Sequence, residues 1–298
     1  MEPVLEKWQQ EVSVVTIGTL KIGGQKTLPY LFTEGPIPNK PVIAFEVWDI
    51  APADWPEELQ KNYQDVFSHT IAWAEKCVRQ YKAGMLCLRL QGAHPDFGNK
   101  SAEEEAELVA ELLKRMNLPL IILGCGDDEK DNLVIPACCE AAKDKRCLVG
   151  SAVQDNYKTI AAAVSADGHN IIAESPIDVN IAKQLNILIS DLGLALEKIV
   201  INPTIGALGY GLEYAYSIME RARLAALSGD KPLASPFICF VGQEAWRAKE
   251  AKADAAAGIM WEVLTAAPLI QAGADILVMR HPKAIEKVNQ YIDNLFRR

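Results

Sequence analysis

The stretch Lys198-Ile-Val-Ile-Asn-Pro-Thr-Ile-Gly-Ala-Leu-Gly-Tyr-Gly-Leu212 joins a short β-branched run to a glycine-rich loop. A long helical pattern begins near Tyr210 and ends near Ser228. Strand, loop and helix in this order are typical of α/β proteins, in which ligands bind at the loops that follow parallel strands. The glycine spacing matches neither the dinucleotide-binding fingerprint nor the phosphate-binding P-loop. The stretch therefore predicts a ligand site in an α/β fold without identifying the ligand.

The same strand–helix unit repeats along the chain on both sides of this stretch. The apolar runs predict eight strands, each followed by a helical segment: Val42–Trp48, Met85–Leu90, Leu118–Leu123, Cys147–Gly150, Asn170–Ala173, Lys198–Ile201, Pro236–Val241 and Asp275–Met279. The first helix is predicted over 62–81, and Ser101 with Glu104 predicts a capping box at the second. Eight such units in 298 residues favour a closed (β/α)8 TIM barrel over an open doubly wound sheet.

The residues ahead of the barrel are predicted to form a short hairpin extension. Val15 and Ile17 precede a predicted turn at Gly23 and Gly24, and an apolar run over 28–32 follows it. Prolines between 36 and 41 then interrupt the chain. We therefore expect a hairpin and connector over 1–40 and the barrel over 41–298.

Composition and charge exclude several classes of protein. The formal net charge is −9 and no basic cluster is present, which argues against a nucleic-acid or anionic-membrane surface. Neither a signal core nor an apolar run of about 18 residues is present, so we expect a cytoplasmic protein. The seven cysteines form no C-x-x-C pair, and we expect buried thiols rather than disulfides, zinc or an iron–sulfur cluster.

Polar residues gather where the predicted strands end, which is the functional face of such a barrel. They are Glu46, Asp49, Arg89, Gln91, His94, Ser151, Gln154, Asp155, Asn156, Glu174, Ser175, Asn202, Thr204, Gln243, Glu244, Arg280 and His281. Such a rim suits a large polar ligand or a partner protein. No H-x-H, H-E-x-x-H or G-x-S-x-G motif is present, so the residues alone identify neither a metal-dependent nor a serine hydrolase.

Strand parity predicts a charged contact inside the barrel mouth. Alternation in the first two predicted strands turns Glu46 and Arg89 inward, and the last strand ends at Arg280. Because the first strand of a barrel neighbours both the second and the eighth, Glu46 is predicted to lie between the two arginines. This group is interpreted either as a paired network that supports the mouth or as a catalytic carboxylate.

Several longer motifs resemble one known family. They are Gly92-Ala-His-Pro-Asp-Phe-Gly-Asn99, Leu123-Gly-Cys-Gly-Asp127, Val153-Gln-Asp-Asn-Tyr-Lys-Thr-Ile-Ala-Ala162, Gly168-His-Asn-Ile-Ile-Ala173, the run from Ser175 to Leu188, the opening stretch, the run from Val241 to Lys249, and Leu277-Val-Met-Arg-His-Pro282. Together they resemble the small subunit of the corrinoid/iron–sulfur protein, the delta subunit of the acetyl-CoA decarbonylase/synthase complex.

The resemblance implies a heterodimeric methyl carrier. A larger corrinoid/iron–sulfur subunit would bear the cluster and most of the site for the corrinoid (cobalamin) cofactor, while this barrel covers the cobalt face. The heterodimer would accept a methyl group through a methyltetrahydrofolate methyltransferase and deliver it to acetyl-CoA synthase in the reductive acetyl-CoA pathway. On this reading the chain carries no iron–sulfur cluster.

The resemblance also suggests which residues would contact the cofactor. Asn202, Thr204 and Gln154 would hydrogen-bond to corrin side-chain amides. Gly206 and Gly209 would let the backbone approach the macrocycle, although plain tight turns explain these glycines equally well. The remaining predicted contacts at the mouth are Asn156, Glu46 and Arg280.

Two other functions remain open at this point. The barrel could be a methyltransferase that binds a pterin on its own, with Asp49, Asn156, Glu174 and Asn202 as candidate contacts. A sugar or phosphate isomerase is the third class, but no phosphate loop is visible after the seventh strand.

Overall fold

The computed structural model describes residues 5–297 and contains the predicted TIM barrel. Within these residues, eight parallel strands close a ring, and two short antiparallel strands stand apart from it. The strands are β1 Val15–Ile17, β2 Leu20–Ile22, β3 Val42–Trp48, β4 Leu86–Arg89, β5 Leu120–Leu123, β6 Leu148–Ala152, β7 Asn170–Glu174, β8 Ile199–Asn202, β9 Phe237–Cys239 and β10 Ala274–Met279. Their order around the ring is β10-β3-β4-β5-β6-β7-β8-β9. The α/β fold class and the hairpin extension are confirmed.

Helices follow the barrel strands and cover the outside of the ring. They are α1 Glu57–Gln60, α2 Thr70–Arg79, α3 Ala102–Arg115, α4 Asp128–Ala141, α5 Tyr157–Asp167, α6 Val179–Asp191, α7 Leu212–Leu227, α8 Val241–Ala245, α9 Ala255–Gln271 and α10 Pro282–Phe296. The capping box at Ser101 is present, because Ser101 Oγ accepts from the Glu104 amide at 3.2 Å and Glu104 Oε2 accepts from the Ser101 amide at 2.7 Å. None of the helices described is long and apolar enough to cross a bilayer.

The predicted helix over 62–81 begins later than expected, at Thr70. Residues 61–68 instead form consecutive turns, and the His69 amide donates to the Val66 carbonyl. This arrangement buries Tyr63 completely against Trp55 and Trp73. Burial of this aromatic cluster overrides the helical periodicity of the segment.

Side chains on the barrel strands alternate between two apolar layers, as strand parity predicts. In β3, Ala44 lies in the ring interior while Phe45 packs in the layer below the helices. In β4, Cys87 lies inside and Leu88 outside. Trp48, at the end of β3, packs edge-on against Trp55 with the outer layer, while its indole N–H donates to the inward-facing Glu46.

The hairpin closes the amino-terminal end of the barrel. Val15, Ile17 and Ile22 are at most 1 % exposed and pack with the interior side chains of the ring. Backbone bonds anchor this hairpin, including Ser13 to the Ala234 carbonyl at 2.7 Å and Gly18 to the Arg146 carbonyl at 3.0 Å. The division of the chain at residue 40 stays a prediction, although the extension contributes side chains to the barrel core.

The predicted hairpin turn at Gly23 and Gly24 is wrong, because the strands reverse between Ile17 and Leu20. The two glycines follow β2, with φ of +80° and +85°. A Cβ at Gly23 would overlap the Ser13 carbonyl oxygen, since the chain runs back beside the segment that precedes β1. Close backbone approach explains the glycine at 23, and the positive φ favours glycine at both positions.

Candidate functional site

The carboxyl ends of the barrel strands surround a cavity of about 230 Å³, here called the mouth cavity. Parallel strands end at this face, so the loops that follow them supply its walls. Its lining is largely polar and consists of Arg89, Leu123, Gly124, Gly126, Asp128, Asp131, Ser151, Val153, Glu174, Asn202, Thr204, Ile205, Phe240, Gln243 and Glu244.

The loop after β8 contributes Asn202 and Thr204 to this cavity, as the opening stretch predicts. Asn202 Nδ2 donates to Glu174 Oε2 at 3.0 Å, and Asn202 Oδ1 accepts from the Thr204 amide at 3.1 Å. Thr204 Oγ1 donates to the Ser175 carbonyl at 2.7 Å, which leaves its lone pairs able to accept from a ligand. Thr204 has a φ of +54°, an uncommon conformation for a β-branched residue that is often found at functional sites.

Glu46 lies between two arginines at the base of the mouth, in the predicted arrangement. Arg89 Nε donates to Glu46 Oε1 at 2.9 Å, and Arg280 Nε donates to Glu46 Oε2 at 2.6 Å. The indole of Trp48 adds a bond of 2.8 Å to Oε1. Burial raises the pKa of this carboxyl, but the guanidinium groups of Arg280 and Arg89 outweigh burial and lower it to about 2. Glu46 is therefore an ionised supporting group.

A second wall of the mouth cavity comes from the start of α4 and was not predicted from the sequence. Asp131 accepts from the amides of Cys125 at 2.7 Å and Gly126 at 3.0 Å. Burial raises its pKa. A Cβ at Gly124 would overlap the Asp131 carboxylate, so the Gly124-Cys-Gly126 pattern is the sequence signal that identifies this wall.

Asn156 supports the mouth cavity from below its surface. It is 3 % exposed, its Nδ2 donates to Asp128 Oδ1 at 3.0 Å, and its Oδ1 accepts from the Val153 amide at 2.8 Å. Gln154 is exposed and lines a neighbouring cavity of about 400 Å³ together with Glu174 and Thr204. Arg280 faces yet another cavity, so the eight predicted contact residues do not meet in one pocket.

The two glycines in the prediction differ in their surroundings. A Cβ at Gly206 would overlap the Tyr210 carbonyl oxygen, so the loop itself requires glycine there. Gly209 is exposed with a φ of +77°, and within the part of the chain described nothing lies within 4 Å of its Cβ position. Of the two, Gly209 has backbone that an incoming ligand can approach.

The thiols and carboxylates form no recognisable metal centre among residues 5–297, where no group of three or more His, Cys, Asp or Glu side chains is arranged to hold an ion. The cysteines in this range are buried, free thiols.

Comparison with known proteins gives consistent matches along the chain. The model of the CO dehydrogenase/acetyl-CoA synthase delta subunit family matches residues 15–291. The acetyl-CoA decarbonylase/synthase complex subunit delta of Methanothermobacter thermautotrophicus is 36% identical over 97% of this chain and 77% of its own length. The corresponding subunit of Methanocaldococcus jannaschii is 34% identical over 97% of this chain and 75% of its own length.

Solved structures resemble the fold at much lower identity. Xanthomonas albilineans dihydropteroate synthase with 4-aminobenzoic acid superposes with a TM-score of 0.60 and 13% identity, covering 90% of this chain and 97% of its own. The Stenotrophomonas maltophilia dihydropteroate synthase superposes with a TM-score of 0.57 and 15% identity, covering 90% of this chain and 98% of its own. At such identities the likeness concerns the barrel fold alone.

Proposed function

Because the chain belongs to the CO dehydrogenase/acetyl-CoA synthase delta subunit family, we propose that it is the small subunit of a heterodimeric corrinoid methyl carrier. The carrier accepts a methyl group from methyltetrahydrofolate through a methyltransferase and passes it to acetyl-CoA synthase in the reductive acetyl-CoA pathway. The proposal rests on the family match over 15–291, a range that includes all the barrel strands and their mouth loops. Its partners are then the large corrinoid/iron–sulfur subunit and these two enzymes, in the cytoplasm.

The size and polarity of the mouth fit a cap over the corrinoid better than a complete binding pocket. A cavity of about 230 Å³ is smaller than the pockets that enclose drug-sized ligands, and a corrinoid is larger still. The barrel would therefore cover one face of the macrocycle while the large subunit holds the rest. When bound, the corrinoid supplies the cobalt that carries the methyl group.

The proposed contacts follow from which polar atoms remain accessible. The Thr204 hydroxyl keeps lone pairs for an amide N–H donor, and Gln154 offers an exposed amide beside it. Gly209 lets the loop backbone lie close to the ring edge. Asn202, Asn156, Glu46 and Arg280 would act mainly by holding the loops in shape, since each is buried and hydrogen-bonded within the chain.

Substitution of Gly209 by leucine tests this cap. We expect Gly209→Leu to lower corrinoid occupancy of the purified heterodimer, read from visible absorbance, and to slow methyl transfer at least tenfold. The side chain would project from the loop that meets the macrocycle.

A matched control is Gly193→Leu, because Gly193 is also exposed, with a φ of +94° and no described atom within 4 Å of its Cβ position. Gly193 precedes β8, at the opposite end of the barrel from the mouth. Because both glycines have a positive φ, the two variants carry similar backbone strain. Equal occupancy and transfer rates in the two variants would contradict the proposed cap.

A pterin-binding methyltransferase that acts without a partner is the second candidate. It is favoured by one feature, the group of oxygen acceptors from Asp128, Asp131 and Glu174 within the mouth cavity. A pterin ring presents amino and ring N–H groups that such acceptors bind. Titration of the isolated chain with methyltetrahydrofolate by calorimetry separates the two functions, since micromolar binding without the large subunit favours the enzyme.

A further inference from the structure

The cavity lined by Arg280 has a volume of about 300 Å³ and adjoins the mouth cavity on the side of β3, β4 and β10. We call it the arginine cavity, after its lining residues Arg89, Arg247 and Arg280, which lie with Trp48 and Phe97 around the space. The methyl-carrier proposal gives no role to this cavity.

The deep end of the arginine cavity carries an excess of positive charge. Arg89 and Arg280 share one fully buried carboxylate, Glu46, so two guanidinium groups face a single negative charge. Glu262, another buried carboxylate, accepts from the Arg280 and His281 amides and the Trp246 indole. Burial raises its pKa to about 7, so at neutral pH it carries only part of a negative charge beside Arg280. An unbalanced charge in a low-dielectric site attracts an anion strongly.

Both guanidinium groups also retain hydrogen-bonding capacity. Arg89 donates from Nε to Glu46 and from Nη2 to Gln243. Arg280 donates from both Nε and Nη2 to Glu46. Among the residues described, neither Nη1 nitrogen donates a hydrogen bond. Arg280 has a side chain only 4% exposed, and it lines the cavity.

The rim of the cavity is close to neutral. Arg247 pairs with Glu244 at 2.8 Å and its side chain is 63% exposed, while Asp54 is an exposed residue on the same rim. Exposed charges are screened by solvent and salt, so they change the potential at the deep end little. Positive charge therefore increases from the opening towards Arg280.

The remaining lining favours a flat apolar group. Trp48 lies under both arginines, with guanidinium carbons at 5.6 Å and 6.0 Å from its ring, and Phe97 is 52% exposed at the opening. Aromatic side chains of this kind pack against planar ligands. A ligand that carries both an anionic group and a ring would use the two parts of the lining together.

We propose that the arginine cavity binds a small organic anion, a carboxylate or phosphate monoester with a planar body, whose charged group meets Arg89 and Arg280 while its ring lies between Trp48 and Phe97. Arg89 and Gln243 also line the mouth cavity, and the 2.8 Å bond between them separates the two spaces. A ligand in the arginine cavity would therefore contact the Arg89–Gln243 pair that borders the mouth cavity. The inference requires neither the corrinoid nor the large subunit.

Calorimetric titration of the full-length chain tests the site with benzoate, phenyl phosphate and the neutral analogue benzyl alcohol. We expect both anions to bind at least tenfold more tightly than benzyl alcohol, and the ratio between them identifies the preferred anionic group. Inorganic phosphate tests whether the ring contributes. An equal affinity for benzyl alcohol and the anions would overturn the proposal.

Arg89→Met provides the matched variant, because it leaves Glu46 paired with Arg280 while it removes one positive charge together with the bonds of Arg89 to Glu46 and Gln243. We expect it to weaken phenyl phosphate binding at least tenfold, whereas Arg79→Met, at an exposed helix position, should bind as the natural chain does. If Arg89→Met does not fold, the Trp48 indole N–H resonance of the natural chain, assigned with Trp48→Phe, decides the question. It should shift on saturation with phenyl phosphate, and an unchanged resonance would falsify the site.

Discussion

His281 and His69 both precede the first residue of a helix, but their surroundings differ. His281 is 4% exposed, stacks on Trp246, and accepts from the Lys283 amide through Nδ1 at 3.1 Å. Burial lowers its pKa to about 4, with a smaller contribution from the charge of Lys283. His69 is exposed and makes no side-chain cap bond to the residues described. The His281 imidazole must stay neutral to cap α10, because its Nδ1 accepts a hydrogen bond.

His281→Asn is expected to change how stability depends on pH. A histidine whose folded pKa lies below 6.5 stabilises the fold above pH 6.5, and this stability is lost as the pH falls towards 4. The loss amounts to about 3 kcal/mol for the natural chain. Asparagine keeps a cap acceptor without titrating, so the variant should show a shallower decrease in urea-unfolding free energy between pH 6.5 and 4.

His69→Asn is the control for this measurement, since it changes a histidine at the same helix position in an exposed setting. We expect it to unfold with nearly the free energy of the natural chain, because the His69 side chain is exposed and makes no cap bond to the residues described. The same slope in His281→Asn and the natural chain would contradict the assigned role of His281.

Individual side chains of the mouth could be predicted only where periodicity fixes their direction. The alternation of side chains in β3 and β4 was enough to predict that Glu46 lies beside Arg89. Closure of the barrel predicted Arg280 as the second neighbour, because the last strand then pairs with β3. Asp131 was missed because it lies on a helix and reaches the mouth through the shape of the Gly124 loop. Contacts that depend on loop geometry follow no periodic pattern in the sequence, so the sequence does not predict them.

At the level of elements, the β1–β2 hairpin behaves as part of the barrel core. Its inward side chains contact the ring interior, while Val14, one residue before the first strand, is 41% exposed. Gln25 continues the anchoring by donating to Asp275 in β10 at 2.6 Å. Two neighbouring valines thus differ in burial with identical chemistry.

Val15→Ala should destabilise the chain by about 2 kcal/mol, because two buried methyl groups are lost and a cavity remains. Val14→Ala should change the unfolding free energy by less than about 0.5 kcal/mol, as expected for an exposed position. Urea unfolding followed by circular dichroism measures both. Similar values for the two variants would show that the hairpin does not contribute to the core.

Predictions at this scale succeeded for the barrel strands and failed at junctions. Each apolar run marked a buried strand correctly, because both faces of a parallel barrel strand are covered. The segment 61–68 and the glycine pair at 23 and 24 were misread, since tertiary contacts of Tyr63 and Ser13 decide their conformation. Those partners lie on other elements, so the local sequence of each segment does not indicate them.

Across the whole molecule, burial protects the thiols. Cys125 is 4% exposed, and the other six cysteines are at most 1% exposed. Burial raises the pKa of the Cys125 thiol to about 12, so even this residue is mostly protonated at neutral pH. Thiol reactivity should therefore report opening of the molecule.

We expect Ellman's reagent to modify the native chain slowly, with Cys125 reacting first because it lies beside the open mouth. Cys125→Ser should remove this first phase, while Cys77→Ser, at a fully buried position, should retain it. All seven thiols should react once the chain is unfolded in urea. Rapid modification of several cysteines in the native chain would be incompatible with the described packing.

Barrel closure itself was predictable from the number and even spacing of the strand–helix units. The ligand was not, because the same barrel supports many chemistries and its loops decide among them. Only the longer motifs, and then the relatives at 34–36% identity, connected this barrel with a particular complex.

Ring closure also has a consequence during protein synthesis. Strand β3 pairs on one side with β10, which follows it by more than 200 residues. A nascent chain still attached to the ribosome therefore exposes an unpaired β3 edge and an open barrel until β10 has been made. Its apolar segments must therefore remain unaggregated for that whole period.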